Sequence, residues 1–284
     1  MTVDWKTIKE HVLRHRYVYG LLLLAALFNF HVWYELILDW SLDADYSHGF
    51  LVVPVAIYIL FSRRAEIRMP AKASRWGLAL VTAGSIGLIL GIAAHEFFVT
   101  RLSLILQITG IGLAGLGSEN FRRVWFAFFF LLFMVPVPAV IYYQATMPMQ
   151  LLSSQATTFL LQLVGVAAVR QGNIINLPGY SLEVIEACSG LRSLVTLLAL
   201  GSLYSWHYLT SRWRAVALTL AMIPIAMAAN VFRIFVTAVG AHVVSPQVAE
   251  SFLHEVSGML VFLSALVMLL ILGAVFKWTE KRSS

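Results

Sequence analysis

A chain of 284 residues that is 60% apolar and 12% charged, with a mean hydropathy of +0.83, is too apolar for a soluble fold and reads as an integral membrane protein. In a soluble protein the net charge of +6 would suggest nucleic acid; here it reflects lysines and arginines held on the cytoplasmic side, and no nucleic-acid partner is expected. The single cysteine excludes an intramolecular disulfide and any multi-cysteine metal site.

Apolar runs of spanning length fall at about 17–38, 47–61, 76–97, 98–117, 124–144, 188–209, 215–243 and 256–276. The first follows Lys6, Lys9, Arg14 and Arg16. It is longer than a signal-peptide core and is expected as a retained span. Further basic groups are Arg63, Arg64, Arg68, Lys72 and Arg75, then Arg122 and Arg123, Arg212 and Arg214, and Lys277, Lys281 and Arg282. All face the cytoplasm if eight helices cross and both termini lie inside, with the acidic hinge Asp39, Asp43 and Asp45 outside. The expected fold is an all-α bundle of about eight transmembrane helices, one domain over 1–284.

Three stretches depart from simple spans. The run 150–169 carries Ser153, Ser154, Gln155, Thr157, Thr158 and Gln162. A crossing there would also put Arg212, Arg214 and the basic C-terminus outside. It is expected as an interfacial or re-entrant helix on the outer side. Val135-Pro136-Val137-Pro138 breaks the fifth run. Prolines free carbonyls that need new partners, which suits either the wall of a polar cavity or a kink at the membrane edge. Asn173 to Leu177 and Tyr180 to Ile185, joined by Pro178-Gly179, read as a small hairpin with a type II turn, leading directly into Cys188.

Four arginines escape the inside pattern: Arg101, Arg170, Arg192 and Arg233. Snorkelling from the start of its span accounts for Arg101, and solvation beside the hairpin for Arg170. Arg192 and Arg233 lie within spans, where a cation costs at least a few kcal/mol and function is the default reading. Arg192 stands four residues after Cys188, one turn along a shared helical face. Arg233 lies nineteen residues beyond Arg214, which at roughly 1.5 Å per residue is about 28 Å, near the outer edge of a ~30 Å layer. Asn230 shares its face and can hold the guanidinium or a substrate carbonyl. His254, just before the last run, falls at the same depth, and His48 lies outside as well.

A thiol, an imidazole and a guanidinium at one depth suit covalent catalysis. A nearby cation and a helix N-terminus favour the thiolate. An imidazole can take the thiol proton and return it to a leaving amine. A guanidinium cannot accept a proton and is suited to holding an oxyanion. Taken singly, Cys188 also suits a small apolar filler and His254 a headgroup contact. No metal or other cofactor is expected, since the outer histidines His48, His95, His242 and His254 form no pair at ligand spacing.

Over most of its length the chain resembles the bacterial exosortases, relatives of the archaeosortases. The resemblance is carried by Asp45-Tyr46-Ser47-His48-Gly49-Phe50, Pro136-Val137-Pro138, Leu177-Pro178-Gly179, Ala187-Cys188-Ser189-Gly190-Leu191-Arg192-Ser193, Asn230-Val231-Phe232-Arg233-Ile234, and His254 followed by Gly258. It implies a cysteine protease or transpeptidase of the bacterial inner membrane with its active site facing the periplasm. Its partners would be exported proteins ending in a Pro-Glu-Pro motif, a transmembrane helix and a basic tail, linked to exopolysaccharide-associated sorting. Cys188 then matches the nucleophile, Arg233 the arginine and His254 the histidine, with Arg192, Ser189, Asn230 and His48 contacting substrate. Two other readings remain: a polysaccharide-precursor transporter whose arginines bind an anionic headgroup, and a non-catalytic assembly subunit.

Overall fold

The computed structural model describes residues 20, 24–25, 27–68, 74–184, 191–243 and 246–283; the side chains of 191–193, 246–257, 260, 261 and 283 fall outside the description. The chain divides into two compact units, Met1–Val137 and Pro138–Ser284.

In the first unit, α1 (Phe30–Leu42) and α2 (Gly49–Ser62) lead through a 3-10 turn, Arg64–Glu66, to α3 (Arg75–Ala93) and α4 (Phe97–Phe130). Helices α3 and α4 make the most extensive contact of the unit, and glycine is the reason. Gly77, Gly84 and Gly91 recur every seven residues and so stay on one face of α3. A Cβ at Gly84 would stand 2.8 Å from the Ser103 carbonyl, and one at Gly110 of α4 2.7 Å from the Gly77 carbonyl. The backbones meet without side chains between them. In lipid, where burial between helices gains little, close packing of this kind holds helices together.

Helix α4 doubles back. Gly117 has φ +72° and ψ +163°, outside any helical region and open to glycine. A Cβ on Gly112 would stand 2.6 Å from Phe128 Cε1; on a straight helix those residues would be about 24 Å apart. The arm before Gly117 matches the expected span 98–117. Near the turn, Asn120 exchanges hydrogen bonds with the backbone of Arg68, Nδ2 to its carbonyl at 2.8 Å and Oδ1 from its N–H at 3.0 Å, while Arg123 donates to the Glu66 carbonyl. The two basic groups around Arg68 and Arg123 therefore meet at one end of the unit, as their shared sidedness required.

In the second unit, α5 (Ala139–Leu163) is followed by β1 (Val169–Gln171), β2 (Ile174–Leu177) and β3 (Tyr180–Glu183), then α6 (Leu191–Tyr208), α7 (Arg212–Val243) and α8 (Pro246–Ser283). The strands form an antiparallel meander in the order β1-β2-β3. Leu177 pairs with Tyr180 across Pro178-Gly179, and Gly179 has φ +79°, so the expected turn is present. The expected hairpin gains a third strand, β1, joined through Gly172 at φ +65°. Helices α6, α7 and α8 enclose an apolar core of Leu194, Leu197, Leu218, Met222, Ala265 and Leu269. At one end of it Glu280 accepts from the N–H groups of Thr210 and Ser211, at 3.2 and 2.6 Å, and lies 3.8 Å from Arg214. Those N–H groups are free at the start of α7, so a carboxylate from another helix caps it. The Arg212 and Lys277 groups thus share an end as well.

The protein is a multi-pass membrane protein. Among the described residues four helical stretches are long and apolar enough to cross: Arg75–Ala93, Phe97–Met134 (with its reversal at Gly117), Arg212–Val243 and Phe262–Arg282; Gly49–Ser62 is apolar but has 14 residues. The count of about eight is thus reached only in part. One boundary is corrected. The expected fifth span over 124–144 and interfacial helix over 150–169 divide differently, because helix stops at Phe130, a 3-10 turn runs Leu131–Met134, and one 25-residue helix, α5, follows Pro138. Pro136 and Pro138 lack the N–H groups a continuing helix needs.

Candidate active site

Arg233 lies on α7, which runs unbroken from Arg212 through Pro224 to Val243, so the spacing of about 28 Å from Arg214 applies along a single helix. The guanidinium-bearing turn is held on two flanks. Toward α5, Asn230 Nδ2 donates to Ser153 Oγ at 3.3 Å and Thr157 Oγ1 donates to the Val231 carbonyl at 3.5 Å. Toward the sheet, Ile234 and Ala238 share an apolar cluster with Leu161, Ile175, Leu177 and Val184. Asn230 is 2% exposed, with its amide engaged on α5. Arg233 itself is half-buried.

Helix α5 is not among the helices apolar enough to cross, as its polar composition led one to expect, and Gln155 and Gln162 are exposed on it. Thr146, Gln150, Ser153, Ser154, Thr157 and Thr158 are all buried, on the sides of α5 that face protein. Ser154 Oγ reaches the Gly172 carbonyl at 3.0 Å, tying α5 to the β1–β2 turn.

A second polar group lies within the first unit, at the α1–α2 hinge. The carbonyls freed around Pro136 and Pro138 are taken by three side chains. Trp40 Nε1 donates to the Met134 carbonyl at 3.0 Å, Tyr46 OH to that of Val137 at 3.4 Å, and His48 Nε2 lies 3.0 Å from that of Phe133. His48 Nδ1 lies 3.1 Å from the Asp45 carbonyl, so both ring nitrogens face oxygen acceptors, of which a neutral imidazole satisfies one. Burial pushes the Tyr46 phenol above its ordinary value of 10.0, partly opposed by the Val137 bond, which keeps it a donor. Arg101, expected to snorkel, is instead buried. It is ion-paired with Asp39, with its guanidinium 5.6 Å from the Phe97 ring centre. Its position at the start of α4, beside the end of α1, explains the difference.

Cys188 and Ser189 lie outside the described residues. Arg192 is on the first turn of α6 and His254 is within α8, both with side chains outside the description. The structure therefore brings Asn230 and Arg233 together on α7 and places His48 in the other unit.

The family model of the transmembrane exosortases matches residues 40–271, more than four fifths of the chain. The chain belongs to the transmembrane exosortase family. No curated protein and no solved structure matches it. The match spans both units of the exosortase, from Trp40 at the hinge to Ile271 in α8. Ser153, Thr157, Trp40 and the Asp39–Arg101 pair were not singled out as site or support residues from the sequence. The signal for the first two was present, as hydroxyls four apart on one helix, but polarity alone does not say whether a face meets water or another helix.

Proposed function

We propose that this exosortase is a cysteine protease or transpeptidase that processes exported proteins bearing a C-terminal Pro-Glu-Pro motif, an apolar span and a basic tail, at the periplasmic face of the inner membrane. The Cys188 thiolate attacks the scissile carbonyl and forms a C–S bond. Arg233 holds the oxyanion of the tetrahedral intermediate. His254 carries the thiol proton to the leaving amine as the C–N bond breaks. The thioester is then opened by an amine, another acceptor or water, which regenerates the thiol. Arg192 and Ser189 contact the substrate backbone, whereas Asn230, expected to do so as well, is buried with its amide bonded to Ser153 and supports α7 instead.

One observation carries this reading beyond family membership. Val184, four residues before Cys188, packs in the same buried cluster as Ile234, the neighbour of Arg233. Four residues reach at most about 14 Å, so Cys188 lies within that reach of the cluster that also holds the helix carrying the guanidinium. The capped end of α7, near Arg214, lies at the other end of that helix.

The test is processing of a tagged reporter ending in such a signal. Cys188→Ala should abolish it, and Cys188→Ser should lower it by at least about a thousandfold, since an unactivated hydroxyl is a far weaker nucleophile. Full processing by Cys188→Ser would overturn covalent catalysis in favour of a transporter.

A further inference from the structure

On the reading that Arg233 acts on the scissile bond, we propose that Ser153 of α5, backed by Thr157, is a positioning residue for Arg233. Ser153 accepts from Asn230 at 3.3 Å, and Thr157 donates to the Val231 carbonyl at 3.5 Å. Ser153 and Thr157 are 1% and 0% exposed, and Asn230 is 2% exposed. No solvent competes for these groups, and breaking the contacts strands polar atoms inside the protein. Both contacts fall on one turn of α7, and Arg233 leaves that helix three residues after Asn230 and two after Val231. The opposing flank, Ile234 and Ala238 on the sheet cluster, is apolar and non-directional. Apolar packing alone sets the distance between helices more firmly than their rotation or height. Two hydrogen bonds on one turn define both. Asn230, one helical turn before Arg233, thus ties that part of α7 to the α5 hydroxyl. A misplacement of about 1 Å in a group that stabilises a transition state can cost on the order of 100-fold in rate.

The experiment uses the full chain in liposomes and a reporter ending in Pro-Glu-Pro, an apolar span and an arginine cluster. Ser153→Ala should lower kcat by about tenfold or more with KM unchanged, while Ser153→Thr, which keeps the hydroxyl, retains most of the rate. Thr157→Val should act in the same direction and serves where Ser153→Ala folds poorly. In an Arg233→Lys background the Ser153→Ala loss should vanish, because the group it aligns is already impaired. Wild-type kcat in both Ser153→Ala and Thr157→Val, or losses that multiply fully with Arg233→Lys, would overturn the proposal. Cys188→Ala, run alongside, separates the two levels. A fully active Cys188→Ala sinks the cysteine mechanism, whereas an inactive one beside silent α5 variants sinks only the positioning role.

Discussion

At the scale of single residues, the buried ion pair and the freed carbonyls are where substitution should be felt most. Arg101 keeps a side-chain exposure of 10% against 32% for Asp39, so removing the carboxylate leaves a cation with little water. Asp39→Asn should destabilise the protein by about 2 kcal/mol, less than the loss of a fully buried pair, and the Asp39→Asn/Arg101→Met double variant should regain most of it. Unfolding in detergent measures both; equal stability of Asp39→Asn and wild type would mean the pair contributes nothing. Trp40→Phe retains a ring against Gly49 and Phe50 but leaves the Met134 carbonyl without its donor. It should cost about 1–3 kcal/mol in the same assay. Proline in the sequence announced that these carbonyls needed partners. Which partners met them, solvent or side chains, depended on α1 and α2 lying within reach, and no local pattern encodes that.

At the scale of elements, glycine spacing decides how closely α3 and α4 approach. Gly84→Ala should cost about 1–3 kcal/mol by forcing the backbones apart, whereas Gly20→Ala, where an added Cβ meets nothing within 4 Å, should be neutral. A silent Gly84→Ala would show that the crossing is looser than its geometry. The turn chemistry of Pro178-Gly179 was readable because proline and glycine impose backbone angles locally. The extent of α5 was not. Its serines and threonines are buried against protein while Gln155 and Gln162 are exposed, and polarity alone does not sort the two.

At the scale of the whole molecule, the basic residues organise each unit consistently: Arg68 with Arg123 in one, Arg214 with the end of α8 in the other. On the proposed orientation, with both termini inside, a membrane-impermeant maleimide added to intact spheroplasts should label Cys188, and Cys188→Ala should remove the signal. Labelling that appears only after the membrane is opened would reverse the proposed orientation.

Composition and charge placement determined by themselves that this is a multi-pass membrane protein, because the cost of burying charge in lipid acts on every residue irrespective of fold. Short motifs likewise sufficed for the family. Tertiary structure alone decided that α4 reverses at Gly117, that α5 buries its serines and threonines, and that Asn230 answers to Ser153. These outcomes follow from contacts between residues far apart in the chain, and such contacts have no signature until the helices are placed.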